Sequence, residues 1–178
     1  MKAVAPLFLT FMLFVAPFAV RGQDIPKLES SVTDQTGTIE PRRAEIEAAL
    51  ETLFNETGVQ LYVLFVPTTG SRSVGDFATR VGEESLGPDD ALLLVAVKDR
   101  TDNISIGSDL RDRVSQTSLD RVRTDVLEPG LARGDFPTAV VSSAQALADV
   151  FQPIPSQGAQ TEEEMEVEAR LASLKSQG

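Results

Sequence analysis

One stretch of the chain restricts the possible folds more than any other, the apolar run from Ala91 to Val97. It is entered by Asp89-Asp90 and followed by Asp99-Arg100. An apolar run of this length, without alternation of polar and apolar side chains, is typical of a strand covered on both faces. Such strands occur in α/β folds, where helices cover both faces of a mostly parallel sheet. The sequence therefore predicts a central buried strand with charged residues at its two ends.

The segment before this strand predicts a parallel neighbour. The run 59–66 is β-branched and aromatic and is followed by Pro67, so it is predicted as a second buried strand. Between the two strands, Ser73-Val74-Gly75-Asp76 resembles a capping box that opens a helix, and Gly87-Pro88 ends it. Two strands joined by such a helix form a βαβ unit, whose crossover is right-handed in nearly all cases.

Shorter signals predict the remaining elements of one α/β domain at 31–152. They are an extended segment at 31–37, a helix from Pro41 to Gly58, a turn at 101–103 followed by an antiparallel strand at 104–107, a helix from Thr117 that breaks at Pro129-Gly130, and a core helix from Asp135 to Phe151. The order βαβαββαα predicts a three-layer sandwich with a mixed, mostly parallel central sheet flanked by helices. A polar lead-in is expected at 23–30.

The two ends of the chain are predicted to lie outside this domain. Residues 1–22 combine Lys2, an apolar stretch from Ala3 to Val20 and a short-residue junction, which predicts a secretory signal peptide. An uncleaved N-terminal anchor is the alternative, because about 18 apolar residues approach membrane-spanning length. We therefore expect an exported protein, periplasmic or secreted, without a transmembrane segment in the mature chain. Residues 153–178 are predicted as a linker and an acidic C-terminal helix or tail.

Composition excludes several classes of function. The chain has no cysteine and no histidine, which excludes disulfides, thiolate or imidazole metal sites and histidine-based triads. No haem, flavin, nucleotide or zinc-thiolate site is expected. With 27 acidic against 16 basic residues and a formal net charge of −11, the protein repels phosphate backbones, so nucleic acid is not an expected partner. The same acidity suits hard cations such as Ca²⁺.

Acidic residues at the predicted carboxyl ends of the strands are the candidate metal ligands. Asp99 and Asp102 follow the central strand, and Asp34 precedes the first helix on the same expected side of the sheet. Ligands of open α/β sheets favour that edge, so these three carboxylates predict a Ca²⁺ site. Arg100 lies among them and is the candidate anion-binding residue, because a guanidinium holds phosphate in a bidentate manner.

Each candidate also has a structural interpretation. Asp34 fits an Asx turn, while Asp99 and Asp102 fit ordinary hairpin-turn acids. Asp89 and Asp90 are weaker metal candidates, since they lie at the amino end of the strand and fit a solvated strand start. Three hydroxyl residues near the end of the second strand could contact an anion or simply shape the loop and cap its helix, namely Thr69, Ser71 and Ser73. The sequence predicts no catalytic residue.

Taken in order, the motifs resemble a known family. They are Val32, Asp34 and Gly37 in a turn, Thr57-Gly58 and Gln60 at a strand start, Asp89 to Val95 followed by Asp99-Arg100, then Gly107, Pro129 and the turn Arg133-Gly134-Asp135-Phe136. This order and spacing are similar to the TPM domain family over residues 31–151. The chain departs from the family pattern at Asp90 and Ala91, where Asn and Gly are usual, and at Asp109, where Gly is usual.

The resemblance implies two alternative functions. Relatives are associated with calcium binding and with assembly or repair in membranes, which implies an extracytoplasmic interaction or assembly module that binds Ca²⁺ through an acidic loop cluster. Its partner would be a protein, which can be membrane-associated. Some plant relatives are associated with acid phosphatase activity, which implies a divalent-metal-dependent phosphatase instead. The absence of histidine and of a recognisable nucleophile favours the interaction module.

Overall fold

The apolar run forms the central strand of a sheet in the computed structural model, which describes residues 24–151. This strand, β3 (Asp90–Ala96), has all six residues from Ala91 to Ala96 buried. It pairs in parallel with β2 (Gln60–Val66) and antiparallel with β4 (Thr101–Ile106). The short strand β1 (Val32–Asp34) lies parallel to β2 and completes the order β1-β2-β3-β4. The predicted mixed, mostly parallel sheet is confirmed.

Helices cover both faces of this sheet and confirm the predicted sandwich. They are α1 (Arg43–Thr57), α2 (Val74–Ser85), α3 (Gln116–Arg121), α4 (Glu128–Ala132) and α5 (Phe136–Val150), with short 3₁₀ turns at Glu40–Arg42 and Ser108–Leu110. One face carries Val63, Phe65 and Leu93 and packs against α1 and α5. The other face carries Leu64 and Leu92 and packs against α2. The alternation along each strand therefore divides the core into two layers.

The positions of α1 and α2 require an unusual crossover. The path β1 to β2 to β3 moves one strand at a time in one direction, with all three strands parallel. Two right-handed crossovers along such a path would place both helices on the same face. Because α1 and α2 pack on opposite faces, one of the two crossovers is left-handed, contrary to the rule used to predict the topology.

The segment predicted as a polar lead-in contributes to the second core layer. Ile25 and Leu28 pack against the cluster beneath α2. The backbone N–H of Leu28 donates to Ser85 Oγ at 3.1 Å, which ties the segment to the end of that helix. The predicted signal peptide at 1–22 and the linker and tail at 153–178 lie outside the described residues. Within residues 24–151, none of the helices has the length and apolarity needed to span a bilayer.

The turn of the β3–β4 hairpin was predicted at residues 101–103, which is wrong, because the turn lies earlier in the chain. The turn occupies residues 97–100, and β4 begins at Thr101, which pairs with Ala96. Arg100 closes the loop with a φ of 55°, in the left-handed region that residues other than glycine seldom adopt. Asp102 and Asn103 therefore lie within β4, whose place at the edge of the sheet tolerates polar residues.

The third predicted helix does not break at Pro129-Gly130. Helix α3 is capped by Ser115 instead of Thr117 and continues through a π-helical segment, Val122–Leu127, into α4. Pro129 lies in the first turn of α4, where its missing N–H costs little. A Cβ at Gly130 would lie 2.5 Å from Cβ of Ala139, so this glycine allows α4 and α5 to approach closely.

Candidate functional site

A cleft of about 930 Å³ opens at the carboxyl ends of the parallel strands. The β3–β4 hairpin forms one wall and the turn between α4 and α5 forms the other. Open α/β sheets bind their ligands at this edge. The charged side chains that line the cleft are Arg100, Asp102, Arg123, Glu128 and Arg133, and its apolar lining includes Val95, Leu131 and Phe136.

The start of α5 fixes the outer wall of the cleft. The rings of Phe136 and Phe65 meet edge to face, with centroids 6.1 Å apart and an angle of 79°. Asp135 caps the helix by accepting from the N–H of Thr138 at 3.4 Å. Gly134 has a φ of 76°, which glycine adopts without strain. The motif Arg-Gly-Asp-Phe thus turns the chain and leaves Arg133 exposed at the rim.

Asp102 is the buried acid of the cleft. It pairs with Val95 across the hairpin, and its side chain is only 9% exposed. Its Oδ1 has no hydrogen-bond partner among the residues that the structure describes. Burial raises the pKa of Asp102, the negative charge of Glu128 raises it further, and Arg123 acts in the opposite direction. The negative charge of the Asp102 carboxylate is therefore only partly neutralised by its neighbours.

The guanidinium of Arg123 is shared between two acids. Its Nη1 lies 3.8 Å from Oδ1 of Asp102, too far for a hydrogen bond. The same Nη1 donates to Oε1 of Glu128. Arg123 thus forms a hydrogen-bonded ion pair with Glu128 and has only a longer electrostatic contact with Asp102.

Arg100 and Arg133 form an exposed positive rim. Neither is held in an ion pair with another residue of the described range 24–151. The non-glycine residue with positive φ in that range is Arg100. Strained backbone at a cleft is a common feature of functional sites, so we retain Arg100 as the candidate anion contact.

Asp34 lies away from this cleft and organises its own loop. Its Oδ1 accepts from the N–H of Thr36 at 2.8 Å and of Gly37 at 3.0 Å, while Oδ2 accepts from the N–H of Ile39 at 2.9 Å. Burial alone would raise the pKa of Asp34, but these bonds and the Thr36 hydroxyl lower it. The Val-x-Asp-x-x-Gly motif therefore forms an Asx turn, the structural alternative considered for this residue.

Asp99 ties two loops together at the carboxyl edge. Its Oδ2 accepts from the N–H of Thr69 at 2.7 Å and from the hydroxyl of Thr68 at 2.9 Å. The Thr69 N–H is the main cause of the lowered pKa of Asp99. Thr69 itself is buried, and Ser73 caps α2 by accepting from the N–H of Asp76. These two predicted anion contacts thus have structural partners, whereas Ser71 is exposed.

The three predicted metal ligands are not brought together. Asp34, Phe65, Val95 and Asp102 form one register row across the sheet, so the two aspartates lie at its opposite ends. Three strand spacings correspond to about 14 Å. In the described part of the chain, no three acidic, histidine or cysteine side chains lie close enough to hold a metal ion. The donors there do not fit a three-carboxylate calcium site.

Asp89 and Asp90 lie at the other end of β3. Asp90 Oδ2 accepts from the N–H of Gly87 at 2.6 Å and closes the turn into the strand. Burial and the charges of Asp90 and Asp89 raise the pKa of Tyr62 on the neighbouring strand. These acids therefore shape the amino end of the sheet and are remote from the cleft.

Sequence reasoning missed three residues of the cleft, Arg123, Glu128 and Arg133. Arg133 had a usable signal, because it opens a turn motif at the start of a predicted helix. Arg123 and Glu128 lie within a helical segment whose apolar residues carry the only periodic signal. Nothing in the sequence pattern distinguishes them from solvated surface charges.

The fold and the cleft define the class of protein, an α/β sandwich domain with a charged cleft at the carboxyl edge of its sheet. The family model that matches residues 32–150 is the TPM domain, under the name TPM_phosphatase. The chain belongs to the TPM domain family, which confirms the resemblance seen in its motifs.

Two curated relatives, the UPF0603 proteins Rv2345 and MT2410 of Mycobacterium tuberculosis strains, are each 32% identical over 123 residues. Each match covers 68% of this chain, and the chain spans only 18% of the length of those relatives.

Solved structures share the fold at low identity. The N-terminal domain of the cg2496 protein of Corynebacterium glutamicum aligns with a TM-score of 0.62 and 17% identity, covering 79% of this chain and 91% of that one. The BA42 protein of Bizionia argentinensis aligns with a TM-score of 0.53 and 22% identity, covering 76% and 94% of the two chains. Both were determined by NMR.

Proposed function

We propose that this TPM domain is an extracytoplasmic interaction module whose cleft holds a phosphate-bearing ligand. The observation that carries the proposal is that Arg100 of the β3–β4 hairpin and Arg133 of the α4–α5 turn line one cleft and make no ion pair within residues 24–151, while Arg123, which also lines the cleft, is paired with Glu128. The chain as a whole has a net charge of −11, so this local excess of positive charge departs from the rest of the surface. Arginines in such an arrangement suit phosphate oxygens.

The extracytoplasmic location is supported by the composition of residues 1–22, which is typical of a secretory signal. In this setting the ligand would be a phosphorylated group on a protein or small molecule outside the cytoplasm. A membrane-associated protein partner remains part of the proposal, and the cleft is the surface that would recognise its phosphate.

Isothermal titration calorimetry with ethyl phosphate tests the proposal. We expect saturable binding that weakens about tenfold in Arg100→Gln and in Arg133→Gln, because each removes a charge-assisted hydrogen bond. Arg80→Gln is the matched control, since it removes one exposed charge from α2 on the other face of the sheet. Absence of binding to the unmodified protein, or equal losses in all three variants, would refute the proposal.

Hydrolysis of phosphate monoesters is the second candidate function. It is favoured by the position of Asp102 in the cleft and by burial, which raises the pKa of this carboxyl group, because a carboxyl group that is more readily protonated can donate a proton to the leaving oxygen. In that reaction water attacks phosphorus, the ester bond breaks and the proton of Asp102 passes to the departing alkoxide, while the proton released by the attacking water returns to Asp102. Turnover of ethyl phosphate in mild acid that is lost in Asp102→Asn would support catalysis, because an alkoxide is a poor leaving group that needs the proton. Binding of the ester without hydrolysis would support the interaction module and not the phosphatase.

The Ca²⁺ binding expected from the sequence stays a prediction of its own. If Ca²⁺ binds, calorimetry with calcium chloride gives a saturable heat and the melting temperature rises by mass action. If neither occurs, that prediction is wrong, while the proposed phosphate cleft is unaffected because it uses no cation.

A further inference from the structure

We infer that the ligand of the cleft carries a primary amine as well as a phosphate, with the ammonium group bound at Asp102 and the phosphate at Arg100 and Arg133. The inference rests on the proposed function, because it describes the second half of the same ligand. Its chemical class is a small phosphate ester with an amine, of which phosphoethanolamine is the simplest probe.

One oxygen of the Asp102 carboxylate is buried without a hydrogen-bond partner. The Asp102 side chain is 9% exposed, its Oδ1 has no hydrogen-bond partner among the described residues, and the nearest guanidinium nitrogen is 3.8 Å away. A buried acceptor without a partner costs more free energy than the average hydrogen bond supplies. A donor supplied by a ligand would remove this cost, and a cationic donor would do so most effectively.

Glu128 explains why the protein itself does not supply that cation. The side chain of Arg123 is the nearest source, but its Nη1 is hydrogen-bonded to Glu128. Two carboxylates and one guanidinium leave one net negative charge at the Asp102 end of the cleft, where the Asp102 side chain is buried and the side chains of Arg123 and Glu128 are partly exposed. An ammonium group compensates that charge, whereas a second anion placed there would be repelled.

The exposed end of the cleft has the opposite charge. Arg100 and Arg133 are exposed and make no ion pair within the part of the chain that the structure describes. The apolar lining of Val95, Leu131 and Phe136 provides contacts for a short carbon linker. A ligand with its amine at the buried end and its phosphate at the rim therefore matches both charges of the cleft.

Calorimetry with phosphoethanolamine and ethyl phosphate at neutral pH and low salt tests the preference for an amine separately from the binding of phosphate. These esters have the same carbon chain and phosphate and differ in the amine. We expect phosphoethanolamine to bind about tenfold more tightly, as one additional charge-assisted contact implies. Equal affinities would overturn this inference and leave the proposed function intact. Failure of both esters to bind would overturn the proposed function itself.

Two variants remove the preference for the amine by different routes. Asp102→Asn removes the carboxylate, so the two esters should then bind with affinities within about twofold. Glu128→Gln frees Arg123 to pair with Asp102, so the preference should also fall although Asp102 is retained. Persistence of the full preference in both variants would overturn the inference, and the melting temperature reports that each variant is folded.

The phosphate ester with an amine could be a soluble molecule or a lipid headgroup. Co-sedimentation with phosphatidylethanolamine vesicles, compared with phosphatidylglycerol vesicles, distinguishes these sources. Binding to the former that depends on Asp102 supports the inference with a membrane source. Binding to phosphoethanolamine alone supports it with a soluble source, and stronger binding to phosphatidylglycerol than to phosphatidylethanolamine contradicts it.

Discussion

Nη1 of Arg123 lies 3.8 Å from Oδ1 of Asp102 while it donates to Oε1 of Glu128, so a single guanidinium is shared by two carboxylates. The arrangement places an incompletely neutralised carboxylate in a cleft whose rim is positive. The arrangement has consequences both for stability and for binding.

Asp102→Asn is expected to stabilise the protein at neutral pH. Because the folded-state pKa of Asp102 is raised, its ionised form is less stable in the folded protein than in the unfolded chain. The resulting penalty is absent below the unfolded pKa and grows until the pH exceeds the folded pKa. Thermal unfolding from pH 3 to pH 8 should therefore show an advantage of the variant at pH 7 that disappears in acid. An advantage that grows on acidification would show that the pKa is lowered instead.

Asp34→Asn is expected to destabilise the protein at neutral pH. The folded-state pKa of Asp34 is lowered by bonds from its own loop, so its contribution to stability is present above the unfolded pKa and is lost as pH falls through the folded pKa. Loss of charge-assisted bonds should cost about 1.5–3 kcal/mol at neutral pH. Chemical unfolding at pH 7 and in acid measures the difference. Asp149→Asn, at an exposed position of α5, should change stability little.

Arg100→Gly is expected to separate stability from binding. Glycine adopts the φ of 55° without strain, so the variant should gain about 1 kcal/mol of unfolding free energy. Removal of the guanidinium should at the same time weaken the binding of ethyl phosphate. Melting temperature and calorimetric affinity are the two readouts. If the variant is stabilised but binds ethyl phosphate as tightly as the unmodified protein, Arg100 does not contact the phosphate.

Two glycine-to-alanine substitutions are expected to change the free energy of unfolding in opposite directions. A Cβ at Gly107 would lie 2.1 Å from the carbonyl oxygen of Pro88, so Gly107→Ala must displace backbone at the end of the hairpin and should cost about 1–3 kcal/mol. A Cβ at Gly82 in α2 meets nothing within 4 Å, so Gly82→Ala should stabilise the helix by about 0.5–1 kcal/mol. Urea unfolding of the two variants compares them directly. Equal effects would show that the close approach of Pro88 is relaxed in solution.

The sequence predicted the strands and most helices because their signals are local. The apolar run of β3, the cap at Ser73 and the stop at Gly58 each depend on neighbouring residues. The hairpin turn was placed wrongly because a left-handed arginine gives no composition signal, unlike glycine or asparagine at such a position.

The candidate site was predicted only in part, because its contacts are between distant segments. Asp99 and Arg100 were placed correctly at the carboxyl edge, but the bond of Asp99 to Thr69 joins residues 30 positions apart. Asp34 was assigned to the same cluster because the strand order was not known. The row Asp34, Phe65, Val95, Asp102 separates the two acids by two intervening strands. Arg123 enters the cleft through packing of the π-helical segment, which no local pattern signals.

The central claim is that phosphate binds at the carboxyl edge of the sheet. Amide chemical-shift mapping by NMR, with ethyl phosphate added to the ¹⁵N-labelled protein, tests it most directly. We predict that the perturbed amides cluster at residues 95–97, 100–102, 123, 131–134 and 136, which line the cleft. Perturbations confined to the groove lined by residues 103–106, 111 and 114–116, or to the Asp34 loop, would contradict the claim.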